Sequence, residues 1–177
     1  MASAQQNHFE LFGLEPNFFV DQKELSEKLR RLLHSAHPDR HTSGGSQQQM
    51  LAMQKTTQLN DAYAVLKHPV KRAQYLLQVV RDIDTTKDHT VNDPDFLMQQ
   101  LELREELHNI TADKDTSALM EFADKIESMA EQQEAELGEL FKQEAWDIDA
   151  LKVAIYKLQF LHKTLHDIEL AEDKIID

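Results

Sequence analysis

Apolar side chains in the first part of the chain recur at helical spacing, with breaks where helices are expected to stop. A cluster of Phe and Leu over residues 9–14 predicts one or two helical turns whose apolar side chains fill a gap in the core, which we call the packing plug. The next apolar stripe predicts a helix over about 22–36, and Asp21 followed by Glu24 is a capping pattern for its N-terminus. The predicted core positions of this helix are Leu25, Leu29, Leu32, Leu33 and Ala36.

A second long helix is predicted to begin near Ser46 and to end at His68, where Pro69 interrupts the pattern. The two long helices are expected to form an antiparallel hairpin, because a polar loop joins them. Pro69 suits the first position of a further short helix that runs to about Val80. The apolar side of the second long helix consists of Ala52, Thr56, Leu59, Ala62, Tyr63 and Leu66.

A helix capped by Asn92 or Asp93, with Pro94 in its first turn, begins the second half of the chain. At about 100° per residue, its apolar positions fall into two groups whose centres lie roughly 160° apart around the helix. The group expected to form the core consists of Phe96, Leu103, Leu107 and Ile110. The group on the other side, next to charged residues, consists of Leu97, Met98 and Leu101.

Two more helices are predicted, one over about 116–145 and one that starts near Asp147 or Asp149. The last helix has a core stripe, and Val153, Tyr156 and Phe160 point to its opposite side. A three-helix bundle has no fourth helix to cover such spare faces, which favours an exterior docking surface. Burial of both faces by other helices and a homodimer stay open as alternatives. The core stripe consists of Leu151, Ala154, Ile155, Leu158, Leu161 and Leu165.

Composition supports an all-α fold. Hydrophobic residues make up 41% of the 177 positions, and there are only four glycines and four prolines. The absence of cysteine excludes disulfides, a thiolate nucleophile and cysteine-ligated metal or iron–sulfur sites within this chain. No apolar run approaches the roughly 18 residues of a membrane span, and we expect a cytoplasmic protein.

Charge divides the chain into unlike halves. Residues 1–80 carry nine Lys and Arg against seven Asp and Glu, whereas residues 81–177 carry ten against 25. The net charge of -13 argues against binding driven by nucleic-acid phosphates. We therefore predict one domain over 1–80, a polar connection over 81–91 and a second domain over 92–177, each with its own partner.

The tripeptide His37-Pro38-Asp39 follows the first long helix, which carries Lys28, Arg30 and Arg31. By itself the tripeptide is as compatible with a simple helix stop followed by a polar turn as with a functional motif. Lys28 and Arg31 lie three positions apart and so share a solvent face of the helix. A basic helix that leads into this tripeptide, with a second helix returning after a polar loop, resembles the J domain, the module that stimulates ATP hydrolysis by DnaK-type chaperones.

Two further stretches, from His68 to Leu77 and from Phe96 to Leu107, are similar to the HscB family of J-domain co-chaperones for iron–sulfur cluster assembly. The resemblance spans essentially the whole chain. It implies a J-domain helical hairpin with short flanking helices, joined to a C-terminal three-helix domain that binds the client. His41 departs from the family pattern, which often has an aromatic residue at this position.

The resemblance also implies two partners and the residues that meet them. The first partner is an HscA-type chaperone ATPase, stimulated through the tripeptide. The second is an IscU-type scaffold, on which iron–sulfur clusters are assembled. The residues implied for the chaperone are His37, Pro38, Asp39, Lys28, Arg30, Arg31 and Arg40. Those implied for the scaffold are Leu97, Met98, Leu101, Glu102, Arg104, Glu105 and Phe160.

Other chemistries find little support in the residues. No nucleophile with a neighbouring base and no glycine-rich phosphate loop is evident, so we expect no enzyme activity and no cofactor. Two groups of histidines could hold a metal ion, but neither is paired with an obvious further ligand of a suitable type: His34, His37 and His41, and His162 with His166 at the four-residue spacing of helical zinc sites. The co-chaperone interpretation predicts a monomer in the absence of partners. The alternatives are an acidic helical adaptor that self-associates and a metal-binding regulator.

Overall fold

The computed structural model describes residues 6–36, 45–85 and 93–176. Within these ranges the chain forms seven α-helices and no strand, which confirms the all-α prediction. Contacts between Cα atoms divide the chain into two compact units, 1–85 and 86–177. The helices are α1 (His8–Leu11), α2 (Gln22–Ala36), α3 (Gly45–Lys67), α4 (Pro69–Arg81), α5 (Pro94–Asp113), α6 (Thr116–Phe141) and α7 (Ile148–Ile176).

Helix α1 is the predicted packing plug. The Glu10 backbone N–H donates to Asn7 Oδ1 and the Asn7 N–H donates to Glu10 Oε2, each at 3.0 Å, so a capping box begins the helix. Phe9 and Phe12 are buried, and Gly13 ends the turn with a φ of 62°, which a side chain would disfavour.

Helices α2 and α3 pack against each other as the predicted hairpin requires. The Glu24 N–H donates to Asp21 Oδ1 at 2.9 Å, which confirms the predicted cap. The predicted core of α2 is only partly right, because Leu25 is buried whereas the other four positions keep intermediate exposure. Helix α2 packs mainly on α3, and a single neighbour covers only part of a helix surface.

Helix α4 starts at Pro69, as predicted, and carries a buried arginine that was not anticipated. Arg72 Nε donates to the carbonyl of Phe18 at 2.6 Å, and its Nη1 donates to the carbonyl of Leu66 at 2.9 Å. Its guanidinium carbon also lies 4.9 Å from the centre of the Phe18 ring. Helix α3 ends at Lys67, so Arg72 satisfies a terminal helix carbonyl while holding the segment before α2.

Helices α5, α6 and α7 pack pairwise as a three-helix bundle. Asp93 Oδ1 accepts the N–H of Phe96 at 3.1 Å and caps α5, while Asp147 Oδ1 accepts the N–H of Ala150 at 3.0 Å before α7. The fully buried side chains of the bundle are Phe122, Ile126, Leu137, Leu151, Ile155 and Leu158.

Helix α6 ends earlier than predicted, at Phe141 rather than Ala145. Trp146 Nε1 donates to the carbonyl of Phe141 at 3.2 Å, and the two rings meet edge to face with centroids 5.2 Å apart. The indole thus replaces a helical hydrogen-bond partner at the end of α6. Across the described part of the chain, no helix is long and apolar enough to cross a membrane.

Candidate functional site

Helix α5 presents an apolar surface to water. Leu97, Met98 and Leu101 keep 46%, 58% and 60% of their surface exposed. On the opposite side of the same helix Phe96 and Leu103 are buried, as predicted. The outward orientation is therefore confirmed, and the alternative that the bundle seals both faces of α5 is wrong.

Charged side chains flank these three residues. Glu102, Arg104 and Glu105 are all exposed on α5. Together the six residues form a surface with an apolar centre and ionised edges, the usual composition of a protein-docking patch. We call it the α5 outer face, consisting of Leu97, Met98, Leu101, Glu102, Arg104 and Glu105.

Phe160 does not point outward, and this part of the prediction is wrong. Only 8% of its surface is exposed, and its ring packs edge to face on Phe96 with centroids 5.6 Å apart. The guanidinium carbon of Arg104 lies 5.9 Å from the centre of the Phe160 ring. Angular spacing places Phe160 away from the α7 core stripe, but α5 covers it there. Val153 and Tyr156, on the same side of α7, are half-buried.

Sequence reasoning missed Lys157 on α7. Its Nζ lies 2.9 Å from Asp93 Oδ2 and 5.4 Å from the centre of the Phe96 ring. The hydrogen bond from Lys157 and the N–H of Phe96 lower the pKa of Asp93 below its ordinary value. No spacing rule links position 93 to position 157, since they are neighbours only through the packing of α5 on α7.

The basic side of the first unit lies on α2. Arg30 and Arg31 are exposed, and Lys28 pairs with Glu24 one turn earlier at 2.9 Å. Arg31 Nε also donates to the carbonyl of Glu27 at 3.4 Å. Helix α2 ends at Ala36, and the predicted residues that follow lie outside the described residues: His37, Pro38, Asp39, Arg40 and His41.

A separate groove of about 780 Å³ lies in the first unit among residues of α1, α3 and α4. There the His8 ring stacks on the Tyr75 ring with centroids 4.2 Å apart. The backbone N–H of His8 donates to the Tyr75 hydroxyl at 2.9 Å. Burial lowers the pKa of His8, and the nearby Asp61 carboxylate opposes that shift. None of the predicted partner-binding residues lines this groove.

The two histidines on α7, His162 and His166, lie in different surroundings. His162 is half-buried, and burial lowers its pKa although Glu134 opposes the shift. His166 is exposed, with its Nδ1 3.2 Å from Glu169 Oε2. Over the ranges that the structure describes, no cluster of three or more histidine or acidic side chains is arranged to hold a metal ion.

Comparison with known proteins accounts for both units. Residues 7–75 match the DnaJ domain, and residues 92–169 match the family described as the HSCB C-terminal oligomerisation domain. Co-chaperone protein HscB homologues of Aliivibrio fischeri and Vibrio campbellii are each 42% identical over 171 residues, which covers 96% of this chain and 99% of the relative.

Solved structures agree with these matches. The chaperone HscB from Vibrio cholerae has a TM-score of 0.80 and 38% identity, and the match covers 96% of this chain and 99% of that one. The human co-chaperone protein HscB has a TM-score of 0.81 at 22% identity, covering 95% and 83%, and supports the fold. Fold and matches together define a J-domain co-chaperone. The chain belongs to the HscB family.

Proposed function

We propose that this protein binds an IscU-type iron–sulfur scaffold through the α5 outer face and delivers it to an HscA-type chaperone. The observation that carries the proposal is the exposure of Leu97, Met98 and Leu101 on a helix whose other side already supplies the core. Apolar surface left in water adds nothing to folding and lowers solubility, whereas a partner that covers it gains binding free energy.

The charged edge suits the same role. Exposed Glu102, Arg104 and Glu105 surround the apolar centre and offer both signs of charge to a partner. Such edge groups orient an encounter and select among partners more than they add affinity. Arg104 also covers Phe160, so Phe160 supports the face from beneath and its contribution to binding is indirect.

The J domain supplies the second contact. Arg30 and Arg31 present a basic surface on α2, directly before the His37-Pro38-Asp39 tripeptide. This surface complements an acidic face on the chaperone. The Asp39 carboxylate perturbs charge-paired contacts that restrain the chaperone's ATPase, so its charge matters more than its contact area. Because one chain carries both surfaces, a bound scaffold reaches the chaperone as an effectively intramolecular partner.

This role makes the protein a regulator without enzymatic activity of its own and without a cofactor. We place it in the cytoplasm, as a monomer until it meets its partners. The balance of charge supports separate partners, since residues 81–177 carry a net charge of -15 whereas residues 1–80 carry +2.

The test is steady-state ATP hydrolysis by an HscA-type chaperone, measured with and without this protein and the IscU-type scaffold. We expect stimulation by the protein alone and further stimulation when the scaffold is added. Asp39→Asn should abolish stimulation and leave scaffold binding unchanged. Loss of both activities in that variant, or no stimulation by the unaltered protein, would contradict the proposal.

Self-association through the α5 outer face is the second candidate. It is favoured by the exposure of the three apolar residues and by the description of the matching family as an oligomerisation domain. Sedimentation at several protein concentrations separates the two functions. A monomer at all concentrations supports scaffold docking, whereas a dimer that Leu97→Ala with Leu101→Ala dissociates supports self-association.

A further inference from the structure

Lys157 belongs to neither predicted partner surface, yet it contacts the first turn of α5. Its Nζ pairs with Asp93 Oδ2 at 2.9 Å and lies 5.4 Å from the centre of the Phe96 ring. Both side chains of the ion pair are largely covered, with 29% of Lys157 and 31% of Asp93 exposed. A contact of this kind between α7 and α5 adjoins the turn that carries Leu97 and Met98.

The Asp93 carboxylate both caps α5 and pairs with a lysine on α7. Its Oδ1 accepts the N–H of Phe96 at 3.1 Å and begins α5, while its Oδ2 pairs with Lys157 on α7. The hydrogen bond from Lys157 and that from the Phe96 N–H both favour the ionised form of Asp93 and lower the pKa of its carboxyl. The start of the helix and its attachment to the bundle therefore depend on the same group.

The remaining contacts beneath this turn are aromatic. The Phe96 ring meets Phe160 and Tyr156 edge to face, with centroids 5.6 Å and 5.9 Å apart. Edge-to-face packing of these rings contributes apolar contact and a preferred geometry beneath the turn. The Lys157–Asp93 pair adds a charge-assisted hydrogen bond that joins α7 to the carboxylate capping α5.

We propose that Lys157 is a positioning residue for scaffold docking. Its ion pair with Asp93 holds the first turn of α5 on α7 and so determines the direction in which Leu97 and Met98 are presented. This inference rests on the proposed function of the α5 outer face. Lys157 and Gln99 line the same small cavity. Gln99 lies about 140° around α5 from Arg104, so this cavity is on a different side of the helix from Arg104 and its contact with Phe160. Lys157 therefore acts through Asp93 rather than by touching the scaffold.

A double-mutant cycle tests this mechanism. Lys157→Met keeps the apolar part of the side chain and removes the charge, whereas Asp93→Asn keeps a good capping group and removes the ionic partner. With the full-length protein titrated against the IscU-type scaffold, we expect each variant to weaken binding about threefold, the scale of a partly exposed ion pair. The double variant should bind no more weakly than the single ones, and Lys157→Arg should restore affinity.

Amide hydrogen exchange examines the positioning without the scaffold. In Lys157→Met the N–H groups of the first α5 turn should exchange several-fold faster, with those of the α6 and α7 core unchanged. In the ATPase assay the scaffold concentration for half-maximal stimulation should rise, while the maximum at saturating scaffold stays the same.

The outcomes separate the two proposals. If the unaltered protein fails to bind the scaffold, the proposed function is wrong. Amide hydrogen exchange in the first turn of α5 then still shows whether Lys157 holds that turn in place. Unchanged exchange in Lys157→Met overturns the positioning role. A scaffold Kd in Lys157→Met equal to that of the unaltered protein also overturns it. If the losses of affinity in the two single variants add up in the double variant, Lys157 contacts the scaffold directly and the positioning role is wrong.

Discussion

Truncating Leu97 and Leu101 to alanine removes the apolar centre of the α5 outer face and is the most direct test of scaffold docking. The two residues keep 46% and 60% of their surface in water, together about one whole leucine side chain. Burying one leucine contributes about 2 kcal/mol. We therefore expect scaffold Kd to rise about 30-fold in the double variant.

The fold should tolerate this change. Both side chains are about half exposed, so their truncation should cost the free energy of unfolding about 1 kcal/mol each, less than a buried leucine. Calorimetric titration gives Kd, and far-UV circular dichroism with urea unfolding checks helicity and stability. Leu170→Ala on α7 is the matched control, because Leu170 is also 46% exposed but lies outside the α5 outer face.

The reasoning is refuted if the double variant retains native helicity and binds the scaffold within threefold of the unaltered protein. An equal loss of affinity in Leu170→Ala would also refute it, since any exposed leucine would then matter as much as those on α5. Unfolding of the double variant at 25 °C would show that the two side chains belong to the core.

Three further predictions concern stability. Phe160→Ala should lower the free energy of unfolding by about 3–5 kcal/mol, because the ring is 8% exposed and packs on Phe96, and urea unfolding measures the loss. Arg72→Met should cost about 3 kcal/mol, since it leaves buried backbone carbonyls without a donor, and thermal unfolding of the full chain would show an earlier transition. Burial lowers the pKa of His8 and His162, so the unfolded state binds more protons near its own pKa of about 6.5. Stability should therefore be greatest above that pH and fall as pH drops through it toward the lower folded pKa, as urea midpoints between pH values of about 8 and 5 would show.

Each of these has a clear contrary result. An unfolding free energy within 1 kcal/mol of the unaltered protein would exclude a core role for Phe160. An unchanged transition in Arg72→Met would show that these backbone carbonyls find other donors, such as water, when Arg72 is removed. A urea midpoint that does not fall on acidification, or that falls equally in a variant with His8 and His162 both changed to Gln, would exclude these histidines as the source of the pH dependence.

Local signals in the sequence were sufficient for most helix boundaries. Asp21, Pro69 and Asp93 mark starts that the structure confirms, because a cap or a proline acts within one turn and needs no distant partner. The end of α6 was missed by four residues, since Trp146 returns to the Phe141 carbonyl through a tertiary contact that spacing does not reveal.

The two apolar sides of α5 follow from the order of its residues alone, because helical periodicity places each residue around the axis regardless of its neighbours. Which of the two sides stays in water depends on how α5 packs against α6 and α7. The same periodicity gives α7 a second apolar side, yet α5 covers Phe160 there, whereas Leu101 on α5 keeps 60% of its surface in water. The pairing of Lys157 with Asp93 was equally beyond the sequence, because residues so far apart in the chain meet only once α5 and α7 have packed.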